Sequence, residues 1–173
     1  MKSHLLKRTP LAVAFFLVVL MTCCKPSPKA DFGSPDNRIR VNVSLSETGQ
    51  PLYSILFDGK QILTDSKLGI TMADEDFSQN LVLDKISQAY IEKDFYKIKT
   101  GKRTECDYTA LKKTYTFKNP NGKIMEVQFQ LSNNGIAFRY HFPNKSEEVK
   151  TIISESTSYL FPENTKMTSS ENE

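Results

Sequence analysis

Met125-Glu126-Val127-Gln128-Phe129-Gln130-Leu131, then Ser132-Asn133-Asn134-Gly135, then Ile136-Ala137-Phe138-Arg139-Tyr140-His141-Phe142 is the stretch on which the fold turns. In its first part Val127, Phe129 and Leu131 alternate with Glu126, Gln128 and Gln130. An extended chain carries successive side chains to opposite faces, so this spacing makes one face apolar and the other polar, whereas a helix would scatter both. Asn133-Asn134-Gly135 follows with residues that tolerate positive φ and close tight hairpins. Ile136, Phe138, Tyr140 and Phe142 then resume the alternation and are expected on the inner face of the next strand.

Upstream, Thr114 to Lys118 alternates and leads into Asn119-Pro120-Asn121-Gly122, a strong turn, which extends the hairpin to a three-stranded antiparallel meander. Ile39, Val41, Val43 and Leu45 alternate with Arg40, Asn42 and Ser44 in the same way, and Glu47-Thr48-Gly49-Gln50 turns the chain. Tyr53, Ile55 and Phe57 repeat the pattern before Asp58-Gly59, a tight hairpin, and a short strand is expected through Gln61-Ile62-Leu63. Leu68 to Met72 is the next candidate strand. Residues 77–96 carry the weakest pattern: Leu81-Val82-Leu83 reads as extended, while Ile86 to Phe95 has a mixed period that also suits a short helical turn. Short alternating strands separated by turn residues predict an all-β fold, an antiparallel β-sandwich with Ile39 to Phe142 supplying the inward side chains.

The amino terminus has a different character. Lys2, Lys7 and Arg8 precede Leu11–Leu20, an unbroken apolar run, and Cys23-Cys24 follows. Charged and apolar regions in that order form a secretory signal, and the run is too short for the roughly 20 residues of a spanning helix. Leu20-Met21-Thr22-Cys23 resembles a bacterial lipobox, which makes Cys23, in preference to Cys24, the expected lipidation site. The protein would then be an exported outer-membrane lipoprotein, touching the membrane through its lipid alone. The plainer alternative is an ordinary signal peptide and a soluble periplasmic protein. Lys25 to Ser34, rich in Pro, Ser and Lys, is expected to be a flexible tether.

Lysine and arginine number 23 against 20 aspartates and glutamates. Three of those cations lie in the signal, so the remainder is balanced, and no concentrated basic surface speaks for nucleic acid. Asp74-Glu75-Asp76 suggests a hard cation, but adjacent carboxylates without spaced loop geometry are expected in a solvated loop. Cys106 has no partner cysteine in the body and is expected as a small buried apolar side chain. His141, the sole histidine outside the signal, falls on the outward side of its strand, with no Ser or Cys motif to define a triad. Arg139 also points outward. It suits a salt bridge on the outer sheet face, or a contact to a sugar ring or to another domain.

Several segments, taken in order, resemble glycoside hydrolase family 97. They are Ser34-Pro35-Asp36-Asn37, Tyr53, Phe57-Asp58-Gly59-Lys60, Ser66-Lys67-Leu68-Gly69, Asn133 through Pro143, and Ile153-Ser154-Glu155-Ser156-Thr157. The resemblance spans about residues 34–163. One departure lies around Thr100 to Arg103 and Cys106 to Tyr108, where many members carry a tryptophan-rich segment and this chain has no Trp. The resemblance implies the amino-terminal super-sandwich of an α-glucosidase or α-galactosidase, whose catalytic carboxylates lie in a separate (β/α)8 barrel. It also implies calcium in full-length members, with no ligand or catalytic residue mapping onto this sequence. The expected division is a signal over residues 1–22, a tether over 23–34, a sandwich incomplete at its C-terminal end over 35–166, and a frayed tail over 167–173. Three functions follow from the resemblance: a truncated front domain inactive alone, a standalone glycan-binding lipoprotein for α-glucosides or α-galactosides, or one part of a split enzyme whose barrel is on another chain.

Overall fold

The computed structural model describes residues 30–100, 104–144 and 147–166. Among these the regular elements are all strands: β1 (Ala30–Gly33), β2 (Ile39–Leu45), β3 (Pro51–Phe57), β4 (Lys60–Lys67), β5 (Ile70–Met72), β6 (Val82–Ile86), β7 (Tyr90–Lys97), β8 (Glu105–Lys118), β9 (Ile124–Ser132), β10 (Gly135–His141) and β11 (Ile152–Glu155). The first four form one sheet in the order β1-β2-β3-β4, and a second runs β10-β9-β8-β6 with β7 also on β8. A small β11-β5 pair completes the set. Every named pairing is antiparallel.

The two larger sheets face each other across the alternating side chains. From the first come Ile39, Val41 and Val43 of β2, Tyr53 of β3 and Leu63 of β4. From the second come Tyr115, Phe117, Met125, Val127, Phe129 and Leu131, all fully buried. Phe129 sits at the middle, its ring centroid 5.4 Å from Phe138, 5.9 Å from Tyr115 and 6.0 Å from Tyr53. The Tyr115 pair is edge-on, an arrangement aromatic quadrupoles favour, and the other two are tilted. The expected β-sandwich is therefore what the chain forms.

Three details depart from expectation. The tether expected over 23–34 ends earlier, because Ala30 to Gly33 pairs with Arg40 to Val43 and Phe32 is buried at 6% exposure. A single large apolar residue anchors a segment whose composition otherwise reads as linker. The helical turn admitted between Ile86 and Phe95 is replaced by β7, which pairs with β8 from Tyr90↔Lys112 to Lys97↔Glu105. Strand β4 runs to Lys67, beyond the expected Leu63, because later chain covers its outer edge. Thr64 N donates to Leu160 O at 2.8 Å and Ser158 N donates to Lys67 O at 3.0 Å.

Strand β8 is shared in an unusual way. Its last residues pair with β6 and its first with β7 along the same edge, while β9 pairs only from Ala110 onward. The Glu105 to Thr109 part of β8 and its β7 partner thus project as a two-stranded arm, with Phe95 59% and Tyr96 46% exposed.

Candidate functional site

Three surfaces bring functional groups together. The first is the outer face of the β10-β9-β8 sheet. Arg139 lies there opposite Gln128 and donates from Nε to Gln128 Oε1 at 2.9 Å. Its neighbour is an amide and not a carboxylate, so the expected outer-face salt bridge is absent among the described residues. His141 occupies the next outward position and its Nδ1 lies 2.9 Å from Glu126 Oε2, a surface pair with no nucleophile beside it. Cys106 faces Tyr96 at the arm and is half-buried, not fully buried as expected, because the ribbon has no second sheet packed on it. Cys23 lies outside the described residues.

The second surface is the flank where the sandwich stays open. β10 is the edge of its sheet, and nothing among the described residues pairs with its outer side. Two clefts of about 440 Å³ each run beside it. One is lined by Tyr53, Phe138, Tyr140, Glu155 and Tyr159, the other by Ile39, Ile55, Phe57, Ile62 and Ile136. At one end Tyr140 Oη accepts from Gly69 N at 2.9 Å and pairs with Thr157 Oγ1 at 2.7 Å. Burial raises the Tyr140 pKa, so its hydroxyl stays protonated. Tyr53 Oη donates to Ser158 O at 3.0 Å, and burial pushes its pKa up to about 12. Both tyrosines hold the 155–160 segment, whose Tyr159 remains 62% exposed and Leu160 54%.

The third surface is a cavity of about 430 Å³ at the end of the sandwich. Phe77 and Phe142, 5.2 Å apart and tilted by 56°, form its apolar wall with Met72 and Ile124. Its rim holds Asp74, Glu75, Lys123, Glu148 and Lys150. Lys150 Nζ bridges Asp74 Oδ2 at 2.6 Å and Glu148 Oε2 at 2.9 Å. The hydrogen bond from Lys150 lowers the Asp74 pKa and keeps that carboxylate ionised. Glu75 Oε2 accepts from Asn119 Nδ2 at 2.6 Å and from Asn121 Nδ2 at 3.1 Å. Asp76 turns elsewhere: burial opposes its ionisation, but donors from Ser78 and Thr71 outweigh that and lower its pKa. The three consecutive carboxylates thus face three different sets of partners, with Asp74 exposed on the loop as expected and Asp76 drawn inward against Ser78. They do not converge on one point, and among the described residues no group of three ligating side chains forms a calcium cage.

The outward placement of Arg139 and His141 followed from alternation. The flank and the end cavity did not, because Phe77 and Phe142, or Ile55 and Ile136, meet only through folding and have no local spacing to reveal them.

A model of the glycosyl-hydrolase 97 N-terminal domain matches residues 32–173. A probable retaining alpha-galactosidase of Streptomyces bingchenggensis is 23% identical over 168 residues, covering 90% of this chain and 25% of that protein. A retaining alpha-galactosidase of Bacteroides thetaiotaomicron is 26% identical over 155 residues, covering 85% of this chain and 22% of its own length. Among solved structures, a beta-arabinopyranosidase superposes with a TM-score of 0.71 at 30% identity over 77% of this chain and 21% of the other. A family 97 enzyme from Pseudoalteromonas sp. strain K8, in complex with panose, gives 0.69 at 26% identity over 78% and 20%. The chain spans about a quarter or less of the relatives it matches. With its matched stretch covering nearly all of the described sandwich, this chain belongs to the family of glycoside hydrolase 97 N-terminal domains.

Proposed function

We propose that the chain is the non-catalytic amino-terminal sandwich of a family 97 α-glycoside hydrolase and that the rest of such an enzyme packs against it, on the same polypeptide or on another. The observation that carries this is the open flank. Two adjoining clefts of about 440 Å³ expose apolar side chains of both sheets beside the unpaired edge of β10. An apolar face of that kind beside a bare strand edge is where a partner strand or domain gains most by covering it. Matching about a quarter or less of its relatives' length, the chain has most of their architecture available as that partner.

Catalysis by the chain alone is not part of the proposal. Glycoside hydrolysis needs a carboxylic acid that stays protonated near neutral pH beside a second carboxylate. At the rim of the end cavity Lys150 drives Asp74 the other way. The activity of the whole enzyme, on α-galactosides or α-glucosides, belongs to the partner. We also propose export with Cys23 as the lipid-bearing residue, so that the sandwich sits at the outer membrane. Mass spectrometry of the membrane fraction tests this: Cys23→Ser removes the acyl mass and frees the protein, whereas an unchanged fraction points to Cys24.

Co-expression with a family 97 chain deprived of its own sandwich tests the main proposal. Co-purification, with release of galactose or glucose from an aryl α-glycoside that neither chain hydrolyses alone, is the expected result. Ile55→Lys together with Ile136→Lys, both lining the flank, abolishes the association. Activity of this chain by itself, or association that survives both lysines, overturns the proposal.

A further inference from the structure

We propose that the cavity at the end of the sandwich is a binding site for one or two pyranose residues of a neutral glycan. Its volume of about 430 Å³ lies in the range of small-ligand sites, and its composition has two parts that differ in chemistry. Phe142, only half-buried, offers an apolar surface to the C–H face of a sugar ring, with Phe77 packed behind it. Phe77 is buried at 2% exposure and backs the Phe142 ring.

The rim supplies donors and acceptors in near balance: three carboxylates, Asp74, Glu75 and Glu148, against two ammonium groups, Lys123 and Lys150. An anionic ligand meets the carboxylates and a cationic one meets the lysines. A polyol does neither, since each hydroxyl both donates and accepts. Adjacent hydroxyls therefore satisfy such a rim where a simple ion does not. The rim is also held in place before any ligand arrives, because Lys150 ties Asp74 to Glu148 and the two asparagines fix Glu75. Fixed polar groups lose little entropy on binding. Lys123 is the exception: it makes no ion pair or side-chain hydrogen bond among the described residues and feels Asp74 only as a longer-range attraction, so its ammonium can turn to a ligand. Asp74 through Phe77 and Lys123-Ile124 come from the loop after β5 and the start of β9, while Phe142 and Lys150 flank the connection from β10 to β11. No single segment forms the site.

The site uses this chain alone and needs no catalytic partner, so its failure and that of the flank proposal are read separately. Calorimetric titration of the full chain with maltotriose and with melibiose is the test, with sodium glucuronate as the anionic counterpart. Saturable heats at millimolar concentration with at least one neutral sugar are expected. Lys123→Ala, at an exposed position, weakens that binding about tenfold, as does Phe142→Leu, which keeps apolar bulk but removes the ring. Lys97→Ala, in the β7 arm away from the cavity, leaves it unchanged. Flat heats with both neutral sugars overturn the proposal. So does binding that both cavity variants leave intact, or tighter binding of glucuronate than of either sugar.

Discussion

Phe129 and Arg139 lie on neighbouring strands and mark the two extremes of what a side chain contributes here. Phe129 is fully buried against Tyr53, Tyr115 and Phe138, so Phe129→Ala leaves a void at the centre of the sandwich. A loss of about 3–5 kcal/mol in urea unfolding is expected, enough to unfold a marginally stable domain. Arg139→Gln exchanges one exposed polar group for another and changes stability by less than about 0.5 kcal/mol in the same assay. Both roles were legible, because period-two alternation fixes which face a strand residue takes. Tyr53 adds a pH dependence. Its pKa stands at about 12 in the folded chain against about 10 for a free phenol. Between those values the unfolded chain has lost the proton that the folded chain keeps, so stability is complete below pH ~10 and falls as pH rises towards ~12. Thermal melts across that window show the fall, and Tyr53→Phe flattens part of it. A melting temperature that is level from pH ~9 to ~12 contradicts the burial of this hydroxyl.

Strands β7 and β9 show why some elements could be read and others not. β9 is buried on one face along its whole length, so its pattern of apolar and polar residues is strict. β7 is exposed at nearly every position, and with no core to face, selection for alternation is absent. Its mixed sequence therefore suited a helical turn as well as a strand, and only pairing with β8 decides it. β1 was hidden for a related reason: backbone pairing with β2, the buried ring of Phe32 and the ion pair of Asp31 with Arg40 hold it, and none leaves a periodic trace. Hydrogen exchange separates these classes. Amides of Lys93 to Lys97 in the arm exchange well before those of Val127 to Leu131, since the arm opens without disturbing the core. Equal protection in the two strands means that the arm is covered in solution. At the turn after β4, Gly69 adopts φ +139°, and a Cβ there meets Ser78 Cα at 2.7 Å and Phe77 O at 2.8 Å. Gly69→Ala combines strain with a backbone clash and is expected to cost about 2 kcal/mol or more in urea unfolding.

For the molecule as a whole, the two-sheet architecture was legible and the openness of its flank was not. Alternation reports which side chains face inward but not whether the opposing sheet is wide enough to cover them. Here β10 ends its sheet while Ile55, Phe57 and Ile62 continue on the other side of the gap. The isolated chain is expected to bind a fluorescent apolar dye and to self-associate as concentration rises, and Ile55→Lys with Ile136→Lys reduces both. A strictly monomeric, dye-silent chain contradicts an accessible flank.

The segment that covers β4 also governs when the molecule can become whole. Leu160 reaches Thr64 across 96 positions of sequence, and Ser158 reaches Tyr53 across 105. Neighbouring strands close early through local turns, but this last seam must wait for residues 158–160 to arrive. A polypeptide emerging from the ribosome therefore carries a bare β4 margin until residue 160 is free. During that interval a chaperone that masks the margin has its greatest effect on yield.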